Sequence, residues 1–140
     1  MSKVSITTFN CGKLFPFHNN QAINSVLNSI IPKSSEQFDL IVLGLQEFSM
    51  VWECLTPGII SRQICDISDQ ILDYLGSEYN LIATDNTGGT VIFIYGKSNI
   101  TLQTLVRTNC QRGVINSSLK GGVSLTIQVN NSLQQNSLET

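Results

Sequence analysis

Two polar sites in the sequence each follow an apolar segment, and their residue types could support metal and phosphate chemistry. Asn10 ends the first segment, and Gln46-Glu47 end the second. A carboxylate such as that of Glu47 is a hard ligand suited to a magnesium ion, and an asparagine can orient a neighbouring acid or a phosphoryl oxygen without adding charge. In the structural alternative, Glu47 merely meets solvent where its strand ends and Asn10 begins a turn. Spacing alone favours that alternative.

The elements that carry these residues are two predicted strands. Residues 3–10 follow the period of two that places successive side chains of a strand on opposite faces. Residues 40–45, Leu-Ile-Val-Leu-Gly-Leu, are apolar on both faces, which suits a central strand that is covered on both sides. Ligand sites in α/β folds collect at strand ends. If the two strands are neighbours in one sheet, Asn10 and Glu47 lie at the same end of it.

Two helices and four further strands complete the predicted layout. Asn19 or Asn20 caps a helix that Pro32 closes, and residues 59–75 form a second amphipathic helix. The further strands span residues 79–84, 90–95, 100–108 and 123–129. Residues 85–89 join the first two of them in a hairpin, and the last two pair antiparallel. The order β-α-β-α-β-β-β-β predicts layered α and β structure with an antiparallel sheet.

Composition excludes several classes of protein. A chain of 140 residues suffices for one domain, and 41% hydrophobic residues argue against intrinsic disorder. A net charge of −2 gives no basic footprint for nucleic acid. We find no signal peptide and no transmembrane segment in the sequence, so we expect a cytoplasmic location. The four dispersed cysteines are expected to be reduced thiols rather than zinc ligands or disulfides.

Three motifs follow one another along the chain: residues 8–12 (Thr-Phe-Asn-Cys-Gly), 39–47 (Asp-Leu-Ile-Val-Leu-Gly-Leu-Gln-Glu) and 119–125 (Leu-Lys-Gly-Gly-Val-Ser-Leu). Together they resemble the opening half of an inositol polyphosphate 5-phosphatase of the endonuclease/exonuclease/phosphatase superfamily. Residues 7–13 are similar to the small fungal phosphatidylinositol 4,5-bisphosphate 5-phosphatases that are tail-anchored to the endoplasmic reticulum. The resemblance implies an α/β (α+β) fold: the incomplete first half of a two-sheet β-sandwich flanked by helices.

The resemblance also implies roles for three residues. Glu47 matches the family's acidic metal ligand, Asn10 its active-site asparagine, and Lys120 a lysine that binds the anionic substrate. The implied reaction is magnesium-dependent hydrolysis, in which the ion polarises the scissile phosphate while a base-activated water attacks in line. Lys120 as an ordinary solvated loop cation and Gly121-Gly122 as a simple turn are the structural alternatives. His18, the sole histidine, matches no catalytic motif.

The sequence departs from the family in its later motifs. No segment matches the family's Gly-Asp-Leu-Asn motif or its Ser-Asp-His motif with the general-base partner. We therefore expect residues 1–129 to be the N-terminal part of a catalytic domain that is truncated and inactive alone. Uncovered sheet faces predict poor solubility or dependence on a partner. Residues 130–140 are polar and are predicted to be a disordered tail.

Two functional hypotheses follow from these observations. The first is a magnesium-dependent phosphatidylinositol 4,5-bisphosphate 5-phosphatase that acts on its lipid at a membrane surface, on the cytosolic face of the endoplasmic reticulum if the full-length protein carries a tail anchor. The alternative is a non-catalytic remnant that binds a phosphoinositide headgroup or a protein partner. A related nuclease is disfavoured by the net acidity and by Lys120-Gly121-Gly122.

Overall fold

The computed structural model describes residues 2–12, 20–112 and 120–131, which form two sheets and three α-helices. The strands are β1 (Val4–Asn10), β2 (Leu40–Gln46), β3 (Tyr79–Thr87), β4 (Thr90–Lys97), β5 (Ile100–Arg112) and β6 (Lys120–Asn131). The helices are α1 (Asn20–Ile30), α2 (Val51–Cys54) and α3 (Ile59–Leu75), and one 3₁₀ turn spans Ser35–Gln37. Every predicted helix and strand is present.

The first sheet has the strand order β1-β2-β4-β3, so β2 is an interior strand as its composition predicts. β1 and β2 are parallel, whereas β4 is antiparallel to both of its neighbours. One face of β2 presents Ile41, Leu43 and Leu45, which are at most 1% exposed. Leu40 on the opposite face is also buried, because that face meets the second sheet. The apolar residues on both faces of β2 therefore reflect burial of both faces.

Helices α1 and α3 cover one face of the first sheet. Their apolar stripes join the β2 side chains in one core, which includes Ile23, Leu27 and Ile30 of α1 and Ile64, Ile67 and Ile71 of α3. Glycines in the left-handed region bound α3 on both sides: Gly58 has a φ of 81° and Gly76 a φ of 93°. Glycine adopts this conformation without the steric cost of a Cβ, so α3 begins and ends where the sequence predicts.

The second sheet is the antiparallel pair β5 and β6, and it packs mainly against β3 and β4. Leu125, Ile127 and Val129 of β6 contact a small buried core of Leu40, Ala83, Ile94 and Ile100. Two sheets with helices on an outer face confirm the predicted α/β (α+β) sandwich. The β1 edge of the first sheet is less covered: Val4 is 46% exposed and Ile6 is 72% exposed.

The structure corrects several details of the predicted layout. β3 continues to Thr87, so the hairpin connection is shorter than residues 85–89, and Gly121-Gly122 lie inside β6 rather than in a turn. β5 extends four residues past the predicted end at Thr108. The helix α2 and the 3₁₀ turn were not predicted.

The predicted tail overlaps the last strand. Asn130 and Asn131 belong to β6 and pair with Thr101 and Ile100, so they are not part of a disordered segment. Residues 132–140 lie outside the described residues. Within the described ranges, no helix is both long and apolar enough to cross a membrane.

Gly121 should tolerate substitution far less than its neighbour Gly122. A Cβ on Gly121 would lie 2.1 Å from the backbone oxygen of Cys110 and 3.1 Å from Cγ2 of Thr87, whereas a Cβ on Gly122 would have nothing within 4 Å. Overpacking of this kind costs about 1–3 kcal/mol. We expect Gly121→Ala to lower the free energy of unfolding by that amount in urea titrations, with Gly122→Ala as the matched control. Equal stability of the two variants would contradict this packing.

Candidate active site

A cavity of about 780 Å³ lies beside the start of β6, on the face of the first sheet that also meets the second sheet. Strands β1, β2 and β4 form its floor, and the start of β6 forms a wall. The polar and glycine residues that line it are Thr7, Thr8, Asn10, Gly44, Gln46, Glu47, Ser49, Gly89, Thr90, Gly121 and Gly122. All three motifs singled out in the sequence therefore contribute to one cavity.

Parallel pairing brings Asn10 and Glu47 to the same end of the sheet. The register pairs Asn10 with Gln46, and the backbone N–H of Cys11 donates a 2.7 Å hydrogen bond to the carbonyl oxygen of Gln46. Both strands thus end at one level, with their carboxyl ends at the cavity. The expectation that two neighbouring strands would bring Asn10 and Glu47 together is confirmed.

Glu47 has an unusual backbone conformation. Its φ of 50° makes it a non-glycine residue in the left-handed region, a conformation that costs about 1–2 kcal/mol. Such strain persists where the surroundings fix the backbone. The next residue, Phe48, is fully buried, and its N–H donates a 3.1 Å hydrogen bond to the carbonyl oxygen of Gly89.

The hairpin turn between β3 and β4 packs directly on the backbone around Glu47. A Cβ on Gly89 would lie 3.5 Å from the carbonyl oxygen of Ser49 and 3.8 Å from the Cα of Glu47. The hairpin therefore lies close against the segment that bears the carboxylate. This contact links the metal-ligand candidate to the antiparallel part of the sheet.

Asn10 makes a turn and lines the cavity at the same time. Its Oδ1 accepts a 2.8 Å hydrogen bond from the N–H of Gly12, so the structural alternative that Asn10 begins a turn describes a real contact. An amide oxygen has two lone pairs, and the amide nitrogen is a separate donor. The turn therefore leaves the Asn10 side chain able to contact a ligand in the cavity as well.

Lys120 is placed by its backbone only. It is the first residue of β6 and pairs with Arg112 of β5, next to the cavity-lining Gly121. Its side chain lies outside the described part of the structure. The substrate-binding role of Lys120 stays a prediction.

The negative charge of Glu47 acts on the neighbouring Cys11. The pKa of the Cys11 thiol is raised from 9.0 to about 11, mainly by burial and to a smaller extent by repulsion from Glu47. Cys11 is therefore a neutral thiol at physiological pH. The stability that the folded state gains from this shift is present below about pH 9 and is lost as the pH rises through about 11. Cys11, Cys54, Cys65 and Cys110 form no disulfide in the structure.

Several cavity residues escaped the sequence analysis. Ser49 precedes α2, Cys54 is the last residue of α2, and Gly89 and Thr90 belong to the hairpin. The Gly88-Gly89 pair was interpreted only as a turn signal, and the proximity of Gly89 to Glu47 and Ser49 arises only on folding. Ser49 carried no signal by itself, because its role depends on the contact with Glu53 that folding creates.

The donor set of the cavity fits a magnesium ion. The described lining offers the Glu47 carboxylate and the amide oxygens of Asn10 and Gln46, all of them oxygen ligands. Magnesium keeps several waters and is commonly held by one or two carboxylates together with substrate phosphates. Among residues 2–12, 20–112 and 120–131, no group of three or more His, Cys, Asp or Glu side chains forms a closed metal site. An open, water-rich site is therefore the kind that these residues can hold.

Comparison with known proteins agrees with this architecture. The sequence profile of endonuclease/exonuclease/phosphatase family 2 matches residues 7–137. A solved inositol polyphosphate 5-phosphatase domain, that of Spsynaptojanin in complex with inositol (1,4)-bisphosphate and a calcium ion, has the same fold, with a TM-score of 0.58 and 17% sequence identity. The match covers 90% of this chain and 36% of the other, so this chain spans little more than a third of that structure.

No curated protein matches the chain in sequence. The family assignment therefore rests on the profile, which extends over most of the chain and includes Asn10, Glu47 and β6. The chain belongs to endonuclease/exonuclease/phosphatase family 2.

Proposed function

We propose that this chain contributes the Glu47 side of the active site of a magnesium-dependent phosphatidylinositol 4,5-bisphosphate 5-phosphatase. The observation that carries the proposal is the convergence of Asn10, Glu47 and the start of β6 on one cavity. Family membership supports hydrolytic phosphate chemistry. Since the chain spans little more than a third of its structural neighbour, the activity is proposed for a protein that contains the whole site.

Each residue has a distinct task in the proposed reaction. Glu47 would hold the ion, and Asn10 would orient ligands beside it. Lys120 would attract the anionic headgroup toward the cavity. When bound, magnesium supplies charge neutralisation at the scissile phosphate. The residues of the chain thus bind and position the phosphate.

The proposed substrate and metal have separate support. The neighbouring structure holds inositol (1,4)-bisphosphate and a calcium ion, which favours an inositol phosphate headgroup and a divalent cation. Calcium takes six to eight oxygen ligands, whereas magnesium retains waters and needs few protein ligands. The single carboxylate among the described lining residues favours magnesium.

An exposed apolar patch beside the cavity supports a lipid substrate at a membrane surface. The patch consists of Met50, Trp52 and Leu55, which are 42%, 59% and 60% exposed. Trp52 lies in α2, and Met50 and Leu55 cap its two ends, while Cys54 of the same helix lines the cavity. Tryptophan favours the membrane interface because its ring is apolar and its N–H is polar. The patch would contact the cytosolic face of a membrane, which is that of the endoplasmic reticulum if the full-length protein carries a tail anchor.

A binding function without catalysis is the second candidate. The described lining contains a carboxylate but neither a histidine nor a second acid that could serve as general base. The open face next to β1, with Val4 and Ile6 exposed, offers a surface for a protein partner. Headgroup binding without phosphate release would favour this candidate.

Calorimetric titration of magnesium into the 140-residue chain tests the metal site. We expect saturable binding that Glu47→Gln weakens at least ~10-fold, because the substitution keeps the shape and removes the charge. Glu36→Gln is the matched control, since Glu36 is exposed on the 3₁₀ turn and does not line the cavity. Equal magnesium affinity of Glu47→Gln and the parent chain would refute the proposed ligand.

The same variants separate the two candidate functions. Soluble inositol 1,4,5-trisphosphate is added with magnesium, and both binding and released phosphate are measured. We expect the chain to bind this headgroup without releasing phosphate, and a protein with the complete site to release phosphate in a Glu47-dependent manner. Binding without release in the complete protein would support the non-catalytic function.

Membrane contact through the apolar patch is tested by fluorescence of Trp52, the only tryptophan. Vesicles of phosphatidylcholine with phosphatidylinositol 4,5-bisphosphate should shift its emission to shorter wavelength. In a sedimentation assay, Trp52→Ser should reduce vesicle binding about 10-fold or more, in line with the ~1.5–3 kcal/mol gained when a large apolar side chain is buried. Val106→Ser is the control, because Val106 is 52% exposed on β5. Equal losses for both variants would exclude a specific role of the patch.

A further inference from the structure

A buried carboxylate lies immediately behind the loop that carries Glu47. Glu53 is only 7% exposed, and it does not line the cavity. Burying a charge is costly unless hydrogen bonds compensate it. Its Oε2 accepts hydrogen bonds from Ser49 Oγ at 2.8 Å, from the Met50 N–H at 3.1 Å and from Gln63 Nε2 at 2.9 Å.

These three donors tie different parts of the fold to one atom. Ser49 and Met50 belong to the loop that follows Glu47, and Gln63 belongs to α3. Glu53 is the third residue of α2, so its bond to the Met50 N–H is the reciprocal half of a capping box. The loop is thereby joined to the long helix that packs in the main core.

The loop is held on its other side by the hairpin. Phe48 is fully buried, and its N–H donates to the carbonyl oxygen of Gly89. The core and the bond to Gly89 therefore fix Phe48, and the bonds to Glu53 fix Ser49 and Met50. Glu47 lies directly between this fixed segment and the end of β2, and it takes up the direction change with its positive φ.

We propose that Glu53 is a positioning residue that holds Glu47 in its left-handed conformation and directs its carboxylate into the cavity. The hydrogen bonds to Ser49 and Met50 anchor the loop, and the bond to Gln63 anchors Glu53 itself. Without them, the backbone at Glu47 relaxes toward the β region that non-glycine residues prefer. The consequence for metal binding rests on the proposed function, whereas the consequence for the backbone does not.

The test compares Glu53→Ala and Glu53→Gln with the parent chain. Glu78→Ala is the control, because Glu78 is an exposed glutamate outside the cavity. The three-bond HN–Hα coupling of Glu47 reports its φ angle, and hydrogen exchange of the Phe48 amide reports its bond to Gly89. Urea unfolding gives the global stability of each variant, so that local exchange can be separated from global opening.

We expect Glu53→Ala to change the Glu47 coupling and to accelerate Phe48 exchange beyond what its global stability accounts for. Glu53→Gln keeps an acceptor oxygen and should restore part of both signals. Magnesium affinity should fall about 10-fold or more in Glu53→Ala, the usual effect of losing a group that orients a metal ligand. If Glu53→Ala does not fold, Ser49→Ala removes one donor and should produce the same local changes to a smaller extent.

The outcomes separate the effect of Glu53 on the Glu47 backbone from its effect on magnesium binding. An unchanged Glu47 coupling and unchanged Phe48 exchange in the folded variants would overturn the positioning role. If the backbone signals change in Glu53→Ala but the parent chain binds no magnesium, the positioning role is supported and the proposed metal site is contradicted.

Discussion

The parallel pairing of β1 with β2 is the constraint on which the site depends. Its register places Asn10 beside Gln46, so the two strands end together, and Asn10, Gln46 and Glu47 line one cavity. A shift of the pairing by one residue would turn the alternating side chains to the opposite faces and separate the two polar ends. The buried side chains of β2 oppose such a shift, because Ile41, Leu43 and Leu45 would leave the core.

The second feature that shapes the site is the turn after β2. Glu47 bends the chain with a left-handed backbone, and hydrogen bonds to Gly89 and to the buried Glu53 fix the segment that follows it. As the proposed metal ligand, Glu47 would be set before the ion arrives, which would reduce the reorganisation needed on binding.

Sequence reasoning predicted the elements whose signals are local. The length of α3 follows from an apolar stripe between two glycines, and the central position of β2 follows from apolar residues on both of its faces. Asn10 and Glu47 share one end of the sheet because these strands are both neighbours and parallel. Lys120 was identified by resemblance, and the described backbone places it at the start of β6 without testing its role.

The features that were missed depend on long-range contacts. Gly121-Gly122 have the composition of a turn, but pairing with Gln111 and Cys110 makes them strand. The four-residue helix α2 is too short to show a periodic pattern. The role of Glu53 depends on its hydrogen bond to Gln63, which lies on another helix. Asn10 fits both the structural and the functional interpretation, since its side chain accepts a hydrogen bond in a turn and also lines the cavity.

The most direct test of the account is to locate a divalent ion by paramagnetic broadening. Manganese accepts the same oxygen ligands as magnesium, and it broadens the amide signals of nearby residues. Titrated into the isotopically labelled chain, it should broaden Asn10, Glu47, Gly89 and Gly122 first, and excess magnesium should reverse the effect. Broadening centred on other residues, or none at this end of the sheet, would contradict the assignment of the cavity as the metal site.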